Sequence, residues 1–121
     1  LILGKSVDDA LKRAEAYSAA GADAILIHSK DKNPDKIFTF SKKFFRSKYF
    51  KPLVAVPSSY SQTYEKQLIK NNFKIVIYAN QLIRASYPSM LNTAKSILLN
   101  GRSHEAQKNI TSINEIINLI K

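Results

Sequence analysis

Three short polar stretches carry the side chains best suited to chemistry in this chain: His28-Ser29-Lys30, Pro57-Ser58-Ser59 and Ala79-Asn80-Gln81. The His28 imidazole changes charge near neutral pH and can donate to a carboxylate or phosphoryl oxygen. It reads equally well as a site residue or as a structural hydrogen-bonder. Ser58 and Ser59 offer hydroxyls to a phosphate, or caps to a following helix. Asn80 offers an amide donor to a substrate oxygen, or satisfies a loop. Arg84 can pair with an anion, but a partner within the fold is the favoured reading. His104 lies in a polar stretch after Gly101 and reads as surface. The two histidines form no metal-binding constellation, and three glycines form no phosphate loop. No Ser-His-Asp arrangement follows from the spacing.

The elements that must position these groups follow from hydrophobic period. Val7, Ala10, Leu11 and Ala14 recur at helical spacing, with Ser6 and Asp9 able to cap the start and Gly21 at the end. The run 24–28 is short and almost continuously apolar, as in a parallel strand covered on both faces. Asn33-Pro34 opens a second helix with Ile37, Phe40 and Phe44 on one face. A strand over 52–56 follows, ended by Pro57, then a short helix over about 63–71 and a strand over 74–78. A longer helix runs from Asn80 to about Leu99, with Pro88 in its first turn or kinking it, and Asn100-Gly101 ends it. The last helix begins with the capping box Ser112-Ile113-Asn114-Glu115 and is expected to bury Ile113, Ile116, Ile117 and Ile120.

Repeated strand–helix units imply α/β architecture with a parallel sheet. A small doubly wound sheet and a piece of a (βα)₈ barrel both fit. The apolar opening Leu1-Ile2-Leu3-Gly4 reads as the tail of a strand with residues missing before it, and so few strands leave raw edges. Both features favour the C-terminal half of a (βα)₈ TIM-type barrel, with parallel strands, crossover helices and an extra C-terminal helix. Residues 1–121 then form one partial barrel domain without a linker. In parallel α/β folds chemistry sits beyond the C-terminal ends of the strands, so the three polar stretches are expected at one mouth.

Composition narrows the class. The chain has 121 residues, 45% hydrophobic, enough for one real core. The absence of cysteine excludes disulfides, thiolate-bound metals and thiol catalysis in this segment, and fits a cytoplasmic protein. No apolar run reaches the roughly 20 residues of a membrane span, and no secretory signal opens the chain. The net charge is +10. Its lysines are dispersed, and the tightest cluster, Lys42 to Lys48, sits at a helix C-terminus, where the dipole favours cations. No nucleic acid is therefore expected, whereas an anionic small substrate suits the field.

The wording of the sequence is more specific. Residues 14–30, ending Ala24-Ile25-Leu26-Ile27-His28-Ser29-Lys30, resemble the segment of the phosphoenolpyruvate phosphomutase family that enters the sixth barrel strand. Val56-Pro57-Ser58-Ser59-Tyr60 is similar to the Val-Pro-Thr-x-Tyr stretch after the seventh strand. Residues 76–86 resemble the eighth strand and the start of the next helix, and 112–117 the closing helix. The related isocitrate and methylisocitrate lyases carry different strand ends, so the chain leans to the phosphonate branch. Ser58 keeps the hydroxyl of the family's threonine, and Gln81 replaces a frequent histidine.

The resemblance implies interconversion of phosphoenolpyruvate and phosphonopyruvate in phosphonate biosynthesis. It also implies Mg²⁺ and a homo-oligomer in which the last helix packs on a neighbour. His28, Ser58 and Asn80 are the implied substrate-binding residues. The catalytic arginine, the metal-binding aspartates and the mobile loop belong to the barrel before Leu1, so this piece alone is expected to be inactive. Phosphonopyruvate hydrolase is the nearest alternative. A non-catalytic α/β module such as a receiver domain is another, but the strand ends lack the aspartates that it needs.

Overall fold

The structure is a computed structural model that describes Leu1 and residues 5–120. Of the opening strand tail, Ile2, Leu3 and Gly4 lie outside the described residues. The chain divides into two compact units, Leu1–Ala79 and Asn80–Lys121.

The first unit begins with α1 (Val7–Ala19). Ser6 Oγ accepts the Asp9 N–H at 3.1 Å, so the expected cap forms. Gly21, at φ +106°, then turns the chain where an L side chain would be strained. β1 (Ile25–Ile27) leads to α2 (Asp35–Phe44), whose first N–H, that of Asp35, is taken by Asn33 Oδ1 at 2.8 Å. β2 (Leu53–Ala55), α3 (Glu65–Lys70) and β3 (Phe73–Val76) follow. Asn72, in the left-handed region at φ 64°, makes the turn from α3 into β3.

The three strands are parallel in the order β1-β2-β3. Ile25, Ile27, Leu53, Ala55 and Phe73 pack with Ala10, Ala14, Ile37, Phe40, Phe44 and Leu68 from the helices. Each large side chain so buried contributes about 1.5–3 kcal/mol. Ser41, fully buried in α2, donates to the Asn71 carbonyl and ties α2 to the end of α3. The opposite sheet face carries the register row Leu26, Val54 and Ile75. Leu26 is 54% exposed and Ile75 47%. The run 24–28 therefore does not form a strand covered on both faces within this unit. Helices cover one face, and apolar composition alone does not reveal how many faces a strand buries.

The second unit is helical: α4 (Gln81–Asn100), a 3₁₀ helix (His104–Asn109) and α5 (Ile113–Leu119). Gly101 closes α4 in the left-handed conformation, its N–H donating to the Ile97 carbonyl at 2.8 Å. Pro88 lies in the helix interior rather than in the first turn. The capping box forms: Ser112 Oγ accepts the Glu115 N–H and Glu115 Oε2 accepts the Ser112 N–H, both at 3.2 Å. The expected burial of α5 does not occur. Ile113, Ile116, Ile117 and Ile120 are 78%, 47%, 50% and 83% exposed. Helical spacing correctly aligned these residues on one stripe, but no described residue of the unit covers it.

Candidate functional site

β1 stops being a strand at His28, and the chain turns at once. Ser29 is buried, and its Oγ accepts the Asp31 N–H at 3.2 Å. Asp31 pairs with Lys36 Nζ at 2.8 Å, and the hydrogen bond from Lys36 holds its carboxyl below the usual carboxylate range. This short turn fixes where His28 leaves the sheet. His28 is half-buried, and its Nδ1 is buried without a hydrogen-bond partner among the described residues.

β2 ends in a tighter device. The Ser58 N–H donates back to the Val56 carbonyl at 2.9 Å, across the buried Pro57. The Thr63 N–H donates to the Tyr60 carbonyl at 3.0 Å. These bonds hold Ser58 half-buried at the strand end, and its Oγ has no partner among the described residues. Ser58 and Ser59 do not cap the following helix. Tyr64 is the N-cap residue of α3, and its N–H donates to Gln67 Oε1 at 2.9 Å. The pairing of β1 with β2 puts the His28 and Ser58 segments at neighbouring strand ends.

Tyr60, two residues after Ser58, also lies at this strand end. It is fully buried, its ring lies 5.9 Å from the His28 ring at a 46° tilt, and its Oη, near the Val56 backbone, makes no well-formed hydrogen bond among the described residues. A tyrosine just past an apolar strand, in a polar stretch, was the available signal. At the third strand, Ile77 extends pairing by donating to the Ala55 carbonyl at 2.8 Å. Tyr78 Oη donates to Glu65 Oε1 at 2.8 Å, and this bond raises the phenol above its ordinary pKa. The regular strand ends at Val76, two residues before the expected limit.

Asn80 belongs to the second unit, as the N-cap residue of α4. Its N–H donates to Gln81 Oε1 at 3.1 Å, and its Oδ1 is buried without a partner among the described residues. Arg84 is exposed and, among the described residues, forms no ion pair. His104 is exposed, as expected.

Buried polar atoms normally find partners, because leaving one unpaired costs about 1–3 kcal/mol. Among the described residues, His28 Nδ1 and Ser58 Oγ are both left unpaired at adjacent strand ends. A cavity of about 190 Å³ beside His28 is lined by Arg13 and Tyr17 of α1. It is smaller than the roughly 300 Å³ at which small-molecule pockets begin, so it does not make a substrate site alone. Among the described residues, no group of three or more His, Cys, Asp or Glu can hold a metal ion. The Mg²⁺ that the resemblance implies therefore finds no ligand set here. No described helix is long and apolar enough to cross a membrane.

A sequence model of the family described as phosphoenolpyruvate phosphomutase matches residues 1–98. Phosphonopyruvate hydrolase of Variovorax sp. is 39% identical over 98% of this chain and 40% of its own length. The crystal structure of phosphoenolpyruvate phosphomutase from Streptomyces platensis superposes with a TM-score of 0.85 at 34% identity, over 96% of this chain and 39% of that one. A phosphonopyruvate hydrolase structure in complex with oxalate and Mg²⁺ gives 0.84 at 40% identity, over 98% and 41%. The chain thus spans about 40% of the length of the curated relative it matches.

Proposed function

Because the chain belongs to the phosphoenolpyruvate phosphomutase family, we propose that the whole protein interconverts phosphoenolpyruvate and phosphonopyruvate. His28, Ser58 and Asn80 would bind the anionic substrate. The observation that supports this reading is the buried, unpartnered Ser58 Oγ at the strand end beside that of His28, whose imidazole can present its other nitrogen, Nε2, to the same anion. An imidazole N–H and a hydroxyl are suited to hold carboxylate or phosphonyl oxygens without contributing covalent chemistry. Mg²⁺ is part of the same proposal and would supply charge neutralisation from ligands other than these residues. A cytoplasmic location and a homo-oligomer paired through α5 complete it.

Hydrolysis of phosphonopyruvate is the second reading, favoured by the 39% identity to a hydrolase of that substrate. Both reactions use phosphonopyruvate, so one experiment separates them. The full-length protein is incubated with phosphonopyruvate and Mg²⁺ and followed by ³¹P NMR. Phosphoenolpyruvate as product supports the mutase, inorganic phosphate supports the hydrolase, and an unchanged substrate overturns both. His28→Ala in the full-length protein is expected to lower kcat/KM at least tenfold, about 1.4 kcal/mol of transition-state stabilisation. Wild-type kinetics would return His28 to a structural role. Residues 1–121 alone are expected to show no turnover, having no metal site among the described residues.

A further inference from the structure

Tyr60 belongs to the same buried cluster as Phe40, Phe44 and Phe73, where a phenylalanine would fill space equally well. Yet it carries a hydroxyl, and buried tyrosines ordinarily give that group a partner. Here the Oη lies beside the Val56 backbone without making a hydrogen bond of adequate geometry. The β1–β2 register pairs Ile27 with Ala55, so one step further sets Val56 beside His28. The Tyr60 ring is 5.9 Å from the imidazole, whose buried Nδ1 is also unpartnered among the described residues. Burial raises the phenol above its usual pKa, so the hydroxyl stays neutral and remains a donor.

We propose that Tyr60 is a positioning residue: its ring fixes the plane of the His28 imidazole, and its hydroxyl donates to His28 Nδ1 when an anion occupies the mouth. Hydrogen bonds of this kind are commonly long in ligand-free sites and tighten on binding. Donation to Nδ1 makes Nε2 the protonated nitrogen, and the N–H that faces the ligand is then fixed. No proton is transferred; the tautomer is selected. Until the ligand arrives, the buried hydroxyl lowers stability. The inference rests on the assignment of His28 as a substrate-binding residue.

The test is Tyr60→Phe in the full-length protein, with Tyr17→Phe as control, because Tyr17 and Arg13 are the other polar side chains lining the cavity beside His28. Three quantities are read: thermal stability, the His28 tautomer from ¹⁵N shifts with and without oxalate and Mg²⁺, and kcat against KM on phosphonopyruvate. Tyr60→Phe is expected to keep or raise the melting temperature, to lose the Nε2–H preference in the oxalate complex, and to lower kcat about fivefold or more with KM changed less. Tyr17→Phe is expected to change none of these. A Tyr60→Phe protein that is less stable would mean the hydroxyl has a structural partner and would overturn the proposal. So would an unchanged tautomer. If the wild type does not turn phosphonopyruvate over, the functional reading fails; the tautomer still decides the role of Tyr60.

Discussion

Residues Leu1–Ala79 bury Ile37, Phe40, Phe44, Leu53, Leu68 and Phe73 to 1% exposure or less, whereas between Asn80 and Ile120 only Ala106 is buried. The first unit is held by tertiary packing. Its helices are short, yet each has an apolar face closed against strands or another helix. The second unit is held by local devices: the Gly101 turn, the Ser112–Glu115 capping box and helix propensity along α4. Helices as short as α5 are marginal alone in water. Exposed apolar stripes on such helices mark surfaces made to be covered. The proposed pairing of α5 with a second copy supplies such a cover, and Ile117→Asp in the full-length protein should lower the oligomer mass measured by light scattering.

The largest effect that separates the units is core truncation. Phe40→Ala should cost about 3–5 kcal/mol in denaturant unfolding followed by a probe in the first unit. Leu98→Ala, at a side chain 82% exposed, should cost less than about 0.5 kcal/mol. Equal losses at the two positions would mean that Leu98 is covered in the folded protein, and the contrast would collapse.

Pro88 gives the next effect. It lacks an N–H for the Arg84 carbonyl, and interior proline disfavours a helix by about 3 kcal/mol relative to alanine. Pro88→Ala should therefore raise helical ellipticity of the second unit. A fall would show that the proline shapes a contact that outweighs propensity. Caps come below this. Ser6→Ala and Ser112→Ala each remove one side-chain acceptor, worth about 1 kcal/mol. The first should shift global stability by that amount while α1 persists, because Ala10 and Ala14 remain buried. The second should melt α5, and amide exchange over 113–119 reads the difference.

The sequence carried the βα order, both serine caps, the glycine turns and the barrel-like polar strand ends, because each is written in local spacing. It did not carry what depends on a neighbour. The stripe of Ile113, Ile116, Ile117 and Ile120 identified a face but not its exposure. Ser58 and Ser59 suit a phosphate or a helix cap equally, and five residues separate Ser59 from Glu65, where α3 begins, so capping fails. Tyr60 was invisible as a positioning residue because its relevance lies in a ring-to-ring distance across two strand ends.

The smallest effect concerns two exposed ion pairs. Hydrogen bonding from Arg102 holds the Glu105 carboxyl below the usual carboxylate range, as that from Lys36 does for Asp31. A carboxyl with a folded pKa below its unfolded value stabilises the fold above the unfolded value, and the contribution is lost as pH falls through the folded one. Both pairs should therefore be intact at neutral pH and fail in acid, with carboxyl ¹³C shifts titrating below the ordinary range. The consequences should differ. The turn after β1 also has buried Ser29 accepting the Asp31 N–H, so it should survive protonation of Asp31. The His104–Asn109 helix has only Ala106 buried beneath it and should fray as Glu105 is protonated. Molar salt at neutral pH should reproduce the fraying by screening the pair. If amide exchange over 104–109 is unchanged by both acid and salt, something besides local electrostatics holds the second unit, and the contrast between the two units is weaker than their burial implies.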